Sequence, residues 1–202
     1  MTPAWQSALA GAPKQRRLGA CAVVCLVLAG LLLASLAWAQ GEADPAARER
    51  KVKAAFRYNF LAYTEFPAAA FGEPGAPLVI AVAGADQLAF ELSRIVAGRS
   101  VQGRSVQVRS VPDSDTPAGM HLLFVGGPDG ACVGGILRSF EPAPVLLVSE
   151  ADNGLQQGSV INFKLVEEQV RFDVSLEAAD RHQVKLSSRL LTVANHVHRG
   201  AP

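Results

Sequence analysis

The stretch Gly158–Ala194, GSVINFKLVEEQVRFDVSLEAADRHQVKLSSRLLTVA, decides how the last part of the chain folds. Val170, Phe172 and Val174 alternate with polar side chains, which is the pattern of a strand with one buried and one wet face. The polar break Glu167–Gln169 separates this run from an earlier apolar one. We therefore predict an antiparallel hairpin with a loop of a few residues, followed by a helix, a brief extended piece and a final helix.

Residues 1–39 have the three parts of a secretory signal peptide. A basic segment, residues 14–17, precedes the apolar run 18–37, and Ala37–Ala39 supplies the small side chains of a cleavage site. We predict that this segment is removed on export. The apolar run is also long enough to cross a membrane, so an uncleaved anchor remains the alternative.

The charge of the remaining chain argues against two classes of partner. Residues 1–39 hold three basic side chains and no acidic one, so their removal leaves 16 Lys/Arg and 18 Asp/Glu, a net charge of −2. A mildly acidic domain lacks the basic surface that binds nucleic acid or anionic lipid. We expect neither as a partner, and no membrane span after cleavage of the signal.

Cysteine usage excludes an internal disulfide in the exported domain. Cys21 and Cys25 belong to the signal segment, so Cys132 alone remains. It is interpreted either as a small buried apolar residue or as an intermolecular link.

The rest of the chain alternates helical and strand patterns. A helix is expected from about Pro45 to Glu65, and its apolar stripe should also bury Asn59. The stripe consists of Val52, Phe56, Phe60 and Tyr63. Pro67 ends this helix because the residue before a proline is disfavoured in helical geometry.

Three later runs are apolar throughout, which predicts strands covered on both faces. They are Leu78–Ala83, His121–Val125 and Val145–Val148. The alternating run Val106–Val111 predicts an edge strand, and helices are expected near 88–98 and 129–140. The fold class is therefore α/β: a mixed, largely parallel sheet flanked by helices, with a C-terminal antiparallel hairpin and a terminal helix. We expect a single domain over 40–202 with an ordered core at about 45–198.

Two glycine-containing turns follow predicted strands, Gly84–Asp86 and Gly126–Gly130. The first has one glycine and no following Lys-Ser/Thr, so it is interpreted as a strand-to-helix turn and not as a nucleotide loop. The second precedes a helix N-terminus, but Asp129 would repel an anion there. We predict no cofactor at either turn.

The titratable residues do not predict a reaction centre. The histidines are His121, His182, His196 and His198. His196 and His198 are two apart and should point to different sides of the terminal helix, which is unlike a metal site. Glu150 and Asp152 follow a strand at the edge where open α/β sheets bind ligands, which leaves a cation site or acid–base chemistry open. No nucleophile or second base accompanies them, so we predict no catalytic and no metal-binding residue.

Several short motifs together resemble the YfiR-like family of periplasmic proteins. The opening helix contributes KAAFRYNF at Lys53–Phe60 and TEFP at Thr64–Pro67. The closing motifs are Gly158–Phe163, Val170–Val174, Ala178–Ala179 and Leu186–Leu191. They occur in the expected order and cover essentially the exported chain. Met120 and Phe66 stand where many relatives have cysteine and tryptophan, so the disulfides and redox behaviour of some members are not expected here.

The resemblance implies a non-catalytic periplasmic regulator, not an enzyme. The best-known members bind the periplasmic sensory domain of an inner-membrane diguanylate cyclase and hold it inactive, which restrains cyclic-di-GMP signalling and biofilm formation. The implied partners are such a cyclase or a membrane sensor kinase, and the implied assembly is a homodimer. The alternative is a periplasmic small-molecule-binding sensor module that feeds a sensor kinase or cyclase, with its ligand near Gly84, Gly126 and Glu150.

The candidate partner-binding residues lie in the closing motifs. They are Asn162, Phe163, Arg171 and Ser188. Arg171 lies between Val170 and Phe172 on the predicted strand, so its side chain should face the opposite, exposed side.

Overall fold

A mostly parallel sheet of eight strands carries the fold. The computed structural model describes residues 45–112, 119–127, 130–140 and 143–200, with residues 45–48 and 130–132 described by their backbone alone. The predicted signal peptide and the side chain of Cys132 lie outside the described residues. Within the described ranges, no helix combines the length and apolar character of a membrane span. The residues from Ala46 onwards cluster as one compact unit.

Helices and strands alternate along the described chain. The helices are α1 (Pro45–Ala62), α2 (Asp86–Val96), α3 (Gly130–Arg138), α4 (Leu176–Arg181) and α5 (Ser188–Val193), with a 3-10 turn at Ala68–Ala70. The strands are β1 (Thr64–Glu65), β2 (Leu78–Ala83), β3 (Ser100–Val101), β4 (Arg104–Val111), β5 (Leu122–Val125), β6 (Leu146–Ser149), β7 (Ile161–Val166), β8 (Gln169–Ser175), β9 (Lys185–Leu186) and β10 (His196–His198).

The strand order of the sheet is β10-β8-β7-β6-β5-β2-β4-β3, and β1 pairs separately with β9 as a short antiparallel ribbon. The central strands β7, β6, β5, β2 and β4 pair in this order, and all of these pairs are parallel. On either side of them one pair is antiparallel: β7–β8 and β3–β4. The terminal strand β10 runs parallel to β8. The predicted fold class, a mixed, largely parallel sheet with helices and an antiparallel hairpin, is confirmed.

The centre of the sheet is the hydrophobic core. Every residue of β2, β5 and β6 is buried, as expected for parallel strands covered on both faces. The predicted edge strand Val106–Val111 pairs with β2 on one side, while the short β3 pairs only with Arg104 and Ser105, so this run lies at the edge of the described sheet as predicted. The turn between β3 and β4, Gln102–Gly103, has positive φ at both residues, which is the geometry of a two-residue hairpin loop.

Helix α1 buries a different face from the predicted one. Val52 and Tyr63 are 37% and 38% exposed, and Asn59 is exposed, so the prediction that Asn59 is buried was wrong. The buried face consists of Ala54, Arg57, Phe60 and Leu61. Successive residues are 100° apart around a helix, so a face centred near Arg57 places Asn59 on the opposite side. The helix ends at Ala62 because the next residues pair as β1.

Aromatic contacts fix α1 against the β7–β8 hairpin. The ring of Phe60 lies 5.6 Å from that of Phe163 on β7 and 5.1 Å from that of Phe172 on β8. Phe56 lies 5.6 Å from Phe172 in an edge-on arrangement. Such pairs add about 0.5–1.5 kcal/mol each to the burial of their apolar area.

The residues after α5 form a strand, and the prediction that His196 and His198 lie on a terminal helix was wrong. Asn195 Nδ2 donates a hydrogen bond of 2.8 Å to Asp173 on β8, which holds β10 in register. Burial acts to raise the pKa of Asp173. Hydrogen bonds from Lys164 and Asn195, together with the charges of Lys164 and His196, outweigh burial and hold that pKa below its usual value.

The β7–β8 hairpin turn gives a first prediction. Its two loop residues, Glu167 and Glu168, have φ of 49° and 60°. This left-handed conformation costs energy for most residues, whereas asparagine and glycine adopt it readily. The double variant Glu167→Asn/Glu168→Gly should stabilise the protein by about 1 kcal/mol, measured as the free energy of unfolding in urea.

The control is Glu167→Gln/Glu168→Gln, which removes both charges but keeps both side chains. It should change the free energy of unfolding by no more than about 0.5 kcal/mol. Equal stabilisation by the two double variants would assign the effect to charge repulsion and not to the backbone.

Candidate functional site

Helix α1 carries a row of charged side chains over the carboxyl ends of the central strands. Glu49, Lys53 and Arg57 are four residues apart and therefore share one side of the helix. Lys53 Nζ lies 2.6 Å from Glu49 Oε1 and 2.6 Å from Glu150 Oε2. Glu150 directly follows β6, so this ion pair ties the start of α1 to the edge where open α/β sheets place ligands.

Arg57 is fully buried beneath this ion pair. Its guanidinium carbon lies 3.5 Å from the ring centre of Phe124 on β5 and 4.7 Å from that of Phe163 on β7. None of its three side-chain nitrogens has a hydrogen-bond acceptor among the described residues. The ring faces attract the cation, but they leave the in-plane N–H groups unpaired.

Burial lowers the pKa of Arg57 to about 9, although the negative charge of Glu150 acts in the opposite direction. The protein therefore holds a charged group where its charge is costly. Since one pKa unit corresponds to about 1.4 kcal/mol, the cost amounts to several kcal/mol. Pairing with an anion would recover part of that cost.

Two clefts open on either side of the Lys53–Glu150 pair. The first has a volume of about 460 Å³ and lies between α1 and the β2–α2 turn. Its lining residues are Glu49, Arg50, Lys53, Gly84, Ala85, Asp86, Gln87, Leu88 and Glu150. The second, about 500 Å³, lies between the same ion pair and β7, with Asp152 and Asn162 in its wall.

A chain of close contacts runs from Arg57 to Ala85 in the wall of the first cleft. The ring of Phe124, on which Arg57 stacks, lies beside Gly126, and a Cβ at Gly126 would come 3.0 Å from that ring and 2.9 Å from the Cβ of Ala85. Ala85 lines the cleft. Glycine at 126 therefore lets the β2–α2 turn approach Phe124 closely.

Asn162 and Phe163, two of the predicted partner-binding residues, are buried. Phe163 belongs to the aromatic contacts under α1. Asn162 accepts a hydrogen bond of 2.7 Å from the Ser149 hydroxyl and donates one of 2.9 Å to the carbonyl of Ala151. A Cβ at Gly154 would overlap both Ser149 and Asn162, so this network packs against the loop after β6.

Arg171 and Ser188, the other two, are exposed on separate elements. Arg171 Nη2 donates a hydrogen bond of 2.6 Å to Gln169, and Lys164 faces Arg171 across the hairpin. Ser188 is the first residue of α5, whose cap is the hydroxyl of Ser187. Two of the four residues are thus buried at β7 and two lie on the surface.

The structure also shows the surroundings of the carboxylates and of a histidine that were singled out from the sequence. Glu150 faces Lys53, while Asp152 is exposed. Among the described residues no group of three or more His, Cys, Asp and Glu side chains is arranged to hold a metal ion. His121 accepts a hydrogen bond of 3.2 Å from the backbone of Val79 through Nδ1, and burial, together with the charge of Arg104, lowers the pKa of His121.

Arg57 was missed by the sequence reading because the helical face was assigned incorrectly. The available signal was its spacing from Ala54 and Leu61, which puts a charge at the centre of an apolar stripe. A buried charge without a partner is rare enough to mark a candidate site.

Replacement of Arg57 by methionine tests the cost of this charge. We expect Arg57→Met to raise the free energy of unfolding by about 1–4 kcal/mol at neutral pH, because an apolar side chain of similar length replaces a buried, unpaired cation. Arg57→Ala is the control. It should lower stability, since it leaves a cavity between Phe124 and Phe163.

The gain from Arg57→Met should shrink above pH 9. Because its pKa is lowered, Arg57 loses its proton near pH 9 in the folded wild type but keeps it in the unfolded chain. The free energy of unfolding of the wild type therefore rises above pH 9 relative to that of Arg57→Met. Urea unfolding at about pH 7 and about pH 10 measures both differences. A gain that does not depend on pH would show that lost charge is not its cause.

Comparisons with known proteins bear on the family of this chain. The family model described as YfiR/HmsC-like matches residues 50–195. No curated protein matches the chain significantly. Among solved structures, an ABC domain in complex with L-Trp from Streptococcus pneumonia is 9% identical, with a TM-score of 0.45, over 59% of this chain and 55% of that one. The chain therefore spans about half of that structure, and we draw no functional argument from so low a likeness. The match over most of the described residues shows that the chain belongs to the YfiR/HmsC-like family.

Proposed function

We propose that this protein is a non-catalytic periplasmic regulator that binds the periplasmic sensory domain of an inner-membrane diguanylate cyclase and represses it. Membership of the YfiR/HmsC-like family carries the proposal, because that family suggests periplasmic regulation of diguanylate cyclase signalling. A repressor of this kind needs only to prefer the inactive receptor state. A preference of about 1–3 kcal/mol is sufficient for a 5- to 150-fold effect.

The exposed end of the β7–β8 hairpin is the surface that we assign to the partner. Arg171 is exposed, and its described hydrogen bond is to another exposed side chain, Gln169. Lys164, opposite it, is held by Asp173 and is less available. On the other face of the hairpin, Leu165 is 58% exposed, so each face of this end presents an exposed side chain. Arginine is enriched at interface hot spots.

Arg171→Ala should weaken repression while leaving the protein folded. We expect the melting temperature to stay within a few degrees, because exposed side chains usually contribute within about 0.5 kcal/mol. Inhibition of the cognate cyclase, measured as cyclic-di-GMP synthesis in membranes that contain it, should require a higher concentration of the variant.

Arg109→Ala is the matched control, since Arg109 is exposed on β4, on the far side of the sheet order from β8. It should repress like wild type. Equal loss in both variants would point to overall charge, and a large drop in melting temperature for Arg171→Ala would make Arg171 a structural residue. Recovery of no membrane cyclase or sensor kinase by the tagged wild type would count against repression itself.

The second function is a periplasmic small-molecule-binding sensor module that feeds a sensor kinase or cyclase. The cleft at the carboxyl edge favours it, because Gly84 and Glu150 line that cleft and Gly126 packs closely against Ala85, another lining residue. Its volume of about 460 Å³ is within the usual range for ligand pockets.

A further inference from the structure

We propose that two copies of this chain associate through strand β4, whose free edge pairs antiparallel with the same edge of the second copy. This inference goes beyond the proposed repression and does not rest on it. Three features of β4 carry it: an edge that is neither paired nor protected, the direction of its backbone groups, and a sequence that is complementary to itself across a two-fold axis.

The free edge of β4 is the run Val106–Val111. This run pairs with β2 on one side, whereas β3 pairs only with Arg104 and Ser105. No other described strand covers its outer side. Proteins usually protect such an edge with a proline, a bulge or charged side chains. The run has a single charged residue, Arg109, no proline, and a register with β2 that no bulge interrupts. It therefore remains a template for another strand.

The β3–β4 turn shows which backbone groups of β4 point outwards. Two loop residues separate these strands, so the flanking residues Val101 and Arg104 are the hydrogen-bonded pair of the turn, and the backbone groups of Arg104 face β3. The N–H and C=O groups reverse direction from one residue of a strand to the next. Three residues of the free run therefore direct both groups to the open side. They are Val106, Val108 and Ser110.

A two-fold axis at Val108 matches these groups between two copies. Val108 then lies opposite Val108 of the second copy, and Val106 lies opposite Ser110, so each of these pairs exchanges two backbone hydrogen bonds. Between them, Arg109 lies opposite Gln107 of the second copy. Side chains in such a pair are close, and the amide oxygen of glutamine can accept a hydrogen bond from the guanidinium.

The neighbouring registers are less favourable. An axis at Arg109 places the two arginine side chains directly opposite each other, which is repulsive. An axis at Gln107 places the second strand against Arg104, whose backbone groups already bond to β3. The axis at Val108 uses the free run without either conflict.

A groove along β4 leaves room for the end of the second strand. It has a volume of about 560 Å³ and lies between the C-terminal end of α2 and the first half of β4. The consecutive residues Ser105–Val108 all line it. Since successive side chains point to opposite faces of a sheet, consecutive residues border one groove along the backbone edge. The edge is thus open where Ser110 of the second copy would lie.

Association at β4 leaves the β7–β8 hairpin of each copy free, because the strands β7, β6, β5 and β2 separate β8 from β4. Repression at the hairpin and association at β4 can therefore be measured separately. Arg109→Ala keeps every backbone hydrogen bond of the proposed pairing and should still dimerise, so it remains a control for the hairpin.

Two substitutions of the exposed residue Gln107 test the pairing in solution. Gln107→Arg places two like charges opposite each other at two positions of the dimer and should raise its dissociation constant about tenfold. Gln107→Glu places opposite charges there and should lower the constant severalfold. Sedimentation equilibrium of the purified protein, from micromolar to millimolar concentration, measures the constant. Both variants should melt within a few degrees of wild type.

Proline substitutions test the direction of the backbone groups. Val108→Pro removes an outward N–H and no hydrogen bond to β2, so the variant should fold and remain monomeric at the same concentrations. Arg109→Pro is the matched control. It removes an N–H that faces β2 and should lower the melting temperature much more than Val108→Pro does.

Three results would each overturn the inference. They are a wild type that stays monomeric at every concentration, dissociation constants that Gln107→Arg and Gln107→Glu do not shift in opposite directions, and a Val108→Pro variant that is folded and dimeric. If Val108→Pro does not fold, the two Gln107 variants decide the question. A Gln107→Arg variant that is monomeric and still represses leaves the hairpin contact intact.

Discussion

The packing of Phe60 against Phe163 and Phe172 is the contact on which the rest of the site depends. It fixes the rotation of α1 relative to the sheet. Because Phe60 and Arg57 are one helical turn apart, any rotation that buries the phenylalanine also buries the arginine. Lys53, one turn further towards the N-terminus, then reaches the carboxyl edge and Glu150. A single hydrophobic contact thus places a charge under the helix and an ion pair at its start.

The buried guanidinium of Arg57 lowers the stability of the fold. An apolar residue at position 57 would pack on Phe124 without a desolvation cost, so folding alone gives no reason for a guanidinium there. The β7–β8 turn shows the same pattern on a smaller scale, since two glutamates occupy positions where asparagine and glycine would be better accommodated. Residues that oppose the fold locally are expected where a protein binds something.

The sequence predicts the layers of this fold better than it predicts the site. Runs such as Leu78–Ala83 identify buried strands because composition alone distinguishes a strand covered on both faces. The face of α1 was misassigned because Phe56, Phe60 and Tyr63 make an apolar stripe of their own, and only contact with the hairpin decides between that stripe and the one through Arg57. Strand β10 was missed because its pairing with β8 depends on Asn195 and Asp173, which are distant in sequence.

The family motifs of the hairpin include both buried residues and Arg171 of the proposed partner surface. Asn162 and Phe163 organise the loop after β6 and the packing of α1, so their roles are complete within the chain. Arg171 and Leu165 belong to the same two strands and point to solvent. The division runs along the hairpin, because both faces are buried at its base and both become exposed towards its turn. Since β7 also forms a wall of the second cleft beside Lys53 and Glu150, the hairpin and the charged cluster share one structural element. A ligand that changes the Lys53–Glu150 pair can influence the partner surface only to the extent that the hairpin has a different free energy in the two arrangements.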